Sequence, residues 1–104
     1  MNALQAASDP RRQQILQLVW RRERSAGEIH RMVGGITFGA VSQHLRVLSD
    51  AGLVRGRRAG RMRYYEAARE TMGPLREVLE AMWDDKLAKL KQLAENEASR
   101  HRKG

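Results

Sequence analysis

This 104-residue sequence predicts a mainly α-helical fold with one small β-hairpin. Three observations predict it: short apolar stripes at helical spacing bounded by capping residues and glycines, an arginine-rich alternating stretch folded about Gly60, and a long striped segment after Gly73-Pro74. Leu4 and Ala7 stand three apart and predict a short opening helix that Ser8-Asp9-Pro10 stops. Asp9 caps the next helix, with Pro10 in the first turn, where its missing N–H does no harm. That helix is expected over residues 10–22, burying Ile15, Leu16, Leu18 and Val19 and leaving Arg11, Arg12, Gln13 and Gln14 in water. Ser25-Ala26-Gly27-Glu28 is a capping box opening a third helix, which buries Ile29, Met32 and Val33 and stops at Gly34-Gly35. Thr37 caps a fourth, expected to run to about Ala51, with Val41, Leu45 and Leu48 as its apolar stripe and Val47 beside them. Gly52 then stands where a helix C-terminus most often places glycine.

Residues 53–57 and 61–66 read as two strands joined by Arg58-Ala59-Gly60. Val54 and Gly56 would share one face, and Met62 and Tyr64 one face of the partner strand. Arg55, Arg57, Arg61 and Arg63 would take the solvent faces. The last helix is expected to about Asn96, with Leu75, Leu79, Met82, Leu87, Leu90 and Leu93 near helical spacing and Val78 and Trp83 widening the stripe. Residues 1–96 would thus form one domain, and 97–104 a polar, frayed tail.

Composition narrows the function. At 41% hydrophobic and 31% charged, the chain can bury a core, though a small one that self-association would complete. It has no cysteine, which excludes disulfides, thiolate metal sites and a cysteine nucleophile. No apolar run approaches a membrane span and no signal segment opens the chain, so a cytoplasmic location is expected. Three scattered histidines and no glycine-rich phosphate loop leave little for an enzyme to use. The net charge of +8 is unevenly placed: residues 10–63 hold all of the excess, with twelve arginines against Glu23, Glu28 and Asp50, whereas residues 64–104 are neutral. A basic half beside a neutral half points to a polyanion.

Two short helices joined through Gly34-Gly35-Ile36 and followed by a basic hairpin make a helix-turn-helix with a wing. Such a second helix fits the DNA major groove, and its early exposed residues meet base edges. Gly39, Ala40, Ser42, Gln43 and Arg46 lie outside the apolar stripe, with His44 at its margin. Gln43 is the first candidate base reader, because glutamine pairs bidentately with adenine. Ser42 is the second, and Ala40 and Gly39 complete the base-facing set. Thr37, His44 and Arg46 are expected on the sugar-phosphate backbone. In the wing, Arg55, Arg57, Arg58, Arg61 and Arg63 fall within nine residues with no acid among them. Like charges across a hairpin repel, so an external anion is expected there, either the phosphate backbone or a narrow minor groove. Protection of a sheet edge by arginine is the ordinary alternative. An RNA-binding or protein-docking module is the competing function, but aromatic side chains, the usual platforms for RNA bases, are only 5% of the chain.

The stretch Ala40-Val-Ser-Gln-His-Leu-Arg-Val-Leu-Ser-Asp-Ala-Gly-Leu-Val54, followed by Gly60-Arg-Met-Arg-Tyr-Tyr65, resembles the signature of ArsR/SmtB-family repressors, and the similarity extends over about residues 2–95. The resemblance implies a winged helix-turn-helix of five or six helices, dimerised through the first and last, on an imperfect inverted repeat of double-stranded DNA near a promoter. It puts Ser42, Gln43 and His44 in the DNA-contacting segment and Arg61 at the wing tip. It also implies an interface built from Leu4, Ala7, Leu75, Leu79, Met82, Trp83, Leu87, Leu90 and Leu93. Phe38-Gly39 departs from the family's pattern of polar residues or proline. Phe38 either packs inward or touches a thymine methyl, and Gly39 offers no side chain.

Many relatives sense metals, but the ligands of the familiar sites are missing. The third helix carries Glu28-Ile29-His30-Arg31-Met32 without cysteine, and the last offers Glu77, Glu80, Asp84 and Asp85 with no histidine before His101. Carboxylates alone hold transition metals poorly. No metal or other cofactor is expected. Trp83-Asp84-Asp85-Lys86-Leu87 resembles a metal-independent branch of the family that includes autorepressors. No small-molecule effector is legible.

Overall fold

The computed structural model describes residues 1–102, and the side chains of all of these except 85–91 and 97–102. Its elements are α1 (Ala3–Ala7), α2 (Pro10–Leu18), β1 (Arg24–Ser25), α3 (Ala26–Val33), α4 (Phe38–Asp50), β2 (Val54–Ala59), β3 (Met62–Ala67), a 3₁₀ turn (Arg69–Thr71) and α5 (Pro74–Arg102). They fall into two compact units, Met1–Met72 and Gly73–Gly104. Among the described residues no helix is long and apolar enough to cross a membrane.

Local chemistry sets the helix starts. Asn2 and Gln5 form a reciprocal capping box on α1, with Gln5 N–H donating to Asn2 Oδ1 at 2.8 Å. Asp9 Oδ1 accepts from the N–H groups of Arg11 and Arg12 at 2.9 and 3.0 Å, which start α2. Ser25 and Glu28 close the expected box on α3. Thr37 Oγ1 accepts from Ala40 N–H at 3.1 Å on α4. The first helix therefore has a cap that spacing alone did not reveal.

Helix ends depended more on the surroundings. The expected helix over 10–22 stops at Leu18. The freed Leu18 carbonyl accepts from Arg24 Nε at 2.7 Å, and that of Val19 from Ala67 N–H at 2.9 Å, so no further helical turn is needed to satisfy them. At the end of α4, Leu53 N–H donates to the Leu48 carbonyl and Gly52 N–H to that of Ser49, with Gly52 at φ 77°. This is a Schellman arrangement, and it needs glycine because φ is positive. The last helix, expected to about 96, continues through Arg102.

In the Met1–Met72 unit the core is built from Ile15, Leu16 and Val19 of the α2 region, Ile29 of α3, Val41, Leu45 and Leu48 of α4, and Leu53 before β2, all fully buried. Several burial expectations are corrected: Leu18, Gln13 and Gln14 are all half-buried. Met32 is 47% exposed, leaving Ile29 and Val33 as the buried face of α3. The Arg12 side chain is only 12% exposed, because its Nε donates to the Ala6 carbonyl at 2.7 Å and closes the end of α1.

The sheet has three strands in the order β1-β3-β2, all antiparallel. The two-residue β1 pairs Arg24 with Tyr65 and Ser25 with Tyr64. It is too short to show in any alternation pattern. The hairpin is tighter than expected: β2 runs two residues further, to Ala59, and β3 starts one residue later, at Met62, so Ala59 lies opposite Met62 and Gly60-Arg61 is the turn. Gly60 at φ 61°, followed by a residue at negative φ, is the pattern of a type II′ turn. This register corrects the facing of β3. Gly56 lies opposite Tyr65 and Arg58 opposite Arg63, so Tyr65 and Arg63 share the face of Val54, while Tyr64 and the exposed Met62 share that of Arg55 and Arg57.

Candidate nucleic-acid interface

The turn that aims α4 is made by Gly34 and Gly35, both at positive φ, and is tied to α2 by Arg11 Nη1 donating to the Gly34 carbonyl at 3.4 Å. With Val41, Leu45 and Leu48 buried, α4 turns Gly39, Ser42, Gln43 and Arg46 to solvent. Ala40 and His44 are half-buried, and His44 Nδ1 is enclosed with no hydrogen-bond partner among the described residues. The side chains of Gln43 and Ser42 make no hydrogen bond among the described residues, which leaves their polar groups available.

The wing arginines separate into two sets, which sequence reading treated as one. Arg57 donates through Nε and Nη2 to the two carboxylate oxygens of Glu23, at 2.8 and 2.6 Å, and its guanidinium carbon lies 4.9 Å from the centre of the Tyr64 ring. Arg55 donates to Glu66 at 3.2 Å and pairs with Glu70. The Arg57 hydrogen bond holds the Glu23 carboxyl below its ordinary range, and Arg55 does the same to Glu70. In return both guanidinium groups are held more firmly in the charged form. The acids absent from the arginine-rich segment are thus supplied from elsewhere in the chain. Arg58, Arg61 and Arg63 have no such partner among the described residues, and all three are exposed.

Between α4 and the wing lies an open groove of about 370 Å³, bounded by Ser42, Arg46, Asp50, Gly56, Arg63 and Tyr65 among others. Gly56 shapes it: a Cβ there would lie 3.0 Å from the Tyr65 ring, so glycine lets that ring lie across the strand. The arrangement presents hydrogen-bonding side chains on a helix the width of a major groove, beside unpaired cations on the hairpin.

The expected interface residues are scattered in burial. Leu4 and Leu93 are 68% and 64% exposed, Leu75 and Met82 half-buried, and Ala7, Leu79 and Trp83 buried. Leu87 and Leu90 lie outside the described side chains, as does His101. His30 Nε2 lies 3.0 Å from the Ile36 carbonyl. Among the described residues no group of three or more His, Asp or Glu is placed to hold a metal ion.

Residues 9–55, from the cap of α2 to the start of β2, match the family model described as bacterial regulatory protein, arsR family. The HTH-type transcriptional regulator Rv2034 of Mycobacterium tuberculosis is 35% identical over 95 residues, covering 91% of this chain and 88% of that protein. Another regulator of the same organism, the uncharacterized HTH-type Rv0081, is 36% identical over 88 residues, covering 81% and 77%. Among solved structures, the homodimeric winged helix-turn-helix DNA-binding domain of Mb0332 from Mycobacterium bovis, a possible ArsR-family regulator, superposes with a TM-score of 0.69 at 32% identity, covering 82% of this chain and 78% of that one.

Proposed function

Since this chain belongs to the arsR family of bacterial regulatory proteins and is a transcriptional regulator with that family's winged helix-turn-helix DNA-binding domain, we propose that it is a homodimeric repressor occupying an inverted repeat near a promoter. The two α4 helices enter successive major grooves about one helical turn apart, and the wings hold the flanking backbone. One observation carries this reading: the exposed Gln43 and Ser42 side chains make no hydrogen bond among the described residues, and they lie beside Arg46, Arg58, Arg61 and Arg63, which are exposed and pair with no carboxylate among those residues. Gln43, Ser42, Ala40 and Gly39 face bases, while those arginines, with Thr37 and His44, meet phosphates. Arg55 and Arg57 reach phosphate only by leaving their carboxylates.

Self-association is supported by the homodimeric Mb0332 domain and by the exposed Leu4 and Leu93. The absence of cysteine and the engagement of His30 with Ile36 support action without a metal. Occupancy of a promoter blocks transcription without any chemistry by the protein.

Fluorescence anisotropy with the DNA upstream of the protein's own gene, titrated against shuffled duplex and single-stranded RNA, tests the reading. Preference for the upstream duplex by about 10³ or more supports a specific, self-regulating repressor. Equal affinity for both duplexes removes the autorepressor reading, and preference for RNA overturns the assignment to DNA. Gln43→Ala is expected to change which sequence is preferred while leaving the thermal midpoint within a few degrees of wild type. Unchanged preference would remove Gln43 as a base reader.

A further inference from the structure

The start of α4 breaks two rules at adjacent positions. Trp20 is buried and Tyr64 and Tyr65 are half-buried, yet Phe38, the first residue of α4, is 49% exposed. It is not loose. The His30 ring stands nearly perpendicular to it, at 83° with centroids 5.7 Å apart, and His30 Nε2–H donates to the Ile36 carbonyl at 3.0 Å. The phenyl ring is therefore propped from the α3 side and presented to solvent.

Gly39 follows, in a helical turn, where glycine is the poorest choice after proline. The fold does not require it. Its φ is not positive, and a Cβ there would meet only Thr37 Oγ1, at an ordinary 3.9 Å. A glycine without steric or conformational cause, next to an exposed aromatic, leaves bare backbone where something approaches closely. Ala40, the next residue, adds only a methyl group, so this end of the helix is apolar and shallow, while the polar side chains begin further along, at Ser42 and Gln43.

Resting on the reading that α4 enters a major groove, we propose that Phe38 and Gly39 form a seat for the 5-methyl group of a thymine. The thymine methyl is the one apolar feature that a base pair shows in that groove. Phe38 packs against the methyl, and the bare Cα of Gly39 lets the base edge come close. Thymine is thereby distinguished from cytosine by shape and apolar contact, in addition to the hydrogen bonds of Gln43.

The test uses a duplex enriched by the full-length protein from a randomised pool, with each thymine then replaced in turn by deoxyuridine, which removes only the methyl. One thymine in each half-site is expected to lose about three- to fivefold in affinity on replacement, the effect of one buried methyl group. Phe38→Ala should bind the thymine and deoxyuridine duplexes alike. Gly39→Ala should weaken binding without lowering the thermal midpoint, because the added methyl has room in the free protein and improves helix propensity. Full affinity for every deoxyuridine duplex, or a Phe38→Ala protein that still discriminates, overturns the proposal. Should Phe38→Ala fail to fold, Gly39→Ala decides, and undiminished binding by that variant overturns the seat. A pool from which no sequence emerges refutes the sequence-specific reading beneath, and the seat falls with it.

Discussion

The division of the wing arginines makes a quantitative prediction. Arg46, Arg58, Arg61 and Arg63 are unpaired among the described residues, whereas Arg55 and Arg57 are already neutralised by Glu66, Glu70 and Glu23. If each unpaired arginine neutralises one phosphate, a dimer makes roughly eight contacts, and log K should fall against log salt with a slope of roughly −7. Between about 50 and 200 mM salt the affinity should drop by about 10⁴. Arg61→Gln removes one contact per protomer and should bring the slope to roughly −5, so the same change in salt costs about 10³. Arg57→Gln should change the slope by less than half as much, because the charge it removes was compensated by Glu23 at 2.8 and 2.6 Å. Anisotropy titrations of both variants at four salt concentrations, on one duplex, provide the comparison. Equal slope changes would show that Arg57 abandons Glu23 for phosphate, and no change with Arg61→Gln would refute the wing's role in backbone contact.

Leu45→Ala should destabilise the domain by about 2–5 kcal/mol, since Leu45 is fully buried on the core face of α4, and denaturant unfolding measures this. Gly56→Ala should cost about 1 kcal/mol or more in the same assay, because the new Cβ would press on the Tyr65 ring at 3.0 Å; a stabilised variant would contradict the packing described. Acid should act through the caps and wing pairs. Hydrogen bonds from the backbone hold Asp9 below its ordinary 3.8, those from Ser25 hold Glu28 below 4.5, and arginines hold Glu23 and Glu70 below the same value. Depressed carboxyls stabilise the fold above the unfolded-state values and lose that contribution as pH falls through the lower folded ones. The thermal midpoint should therefore hold from these groups between pH 7 and about 5 and fall below about 4, whereas a rise on acidification would contradict the cap and pair geometry.

Short-range chemistry accounts for what the sequence by itself determined. Asp9, Ser25 and Thr37 sit within three residues of the N–H groups they accept, so the starts of α2, α3 and α4 could be read directly, as could the glycine stop at Gly52 and the stripe of Val41, Leu45 and Leu48. The same stripe identified Gln43 and Ser42 as outward residues, since a helix divides its faces by local geometry alone. The hairpin was less secure. In a strand the faces alternate at every residue, so moving the turn to Gly60-Arg61 exchanged Tyr64 for Tyr65 on the side facing α4. Tertiary structure alone decided the end of α2 at Leu18, because its free carbonyl depends on Arg24 folding back across the following turn. It also decided which wing arginines pair with carboxylates. Glu23 and Arg57 are 34 residues apart, and no local pattern reveals that their charges cancel once β1 and β2 flank β3.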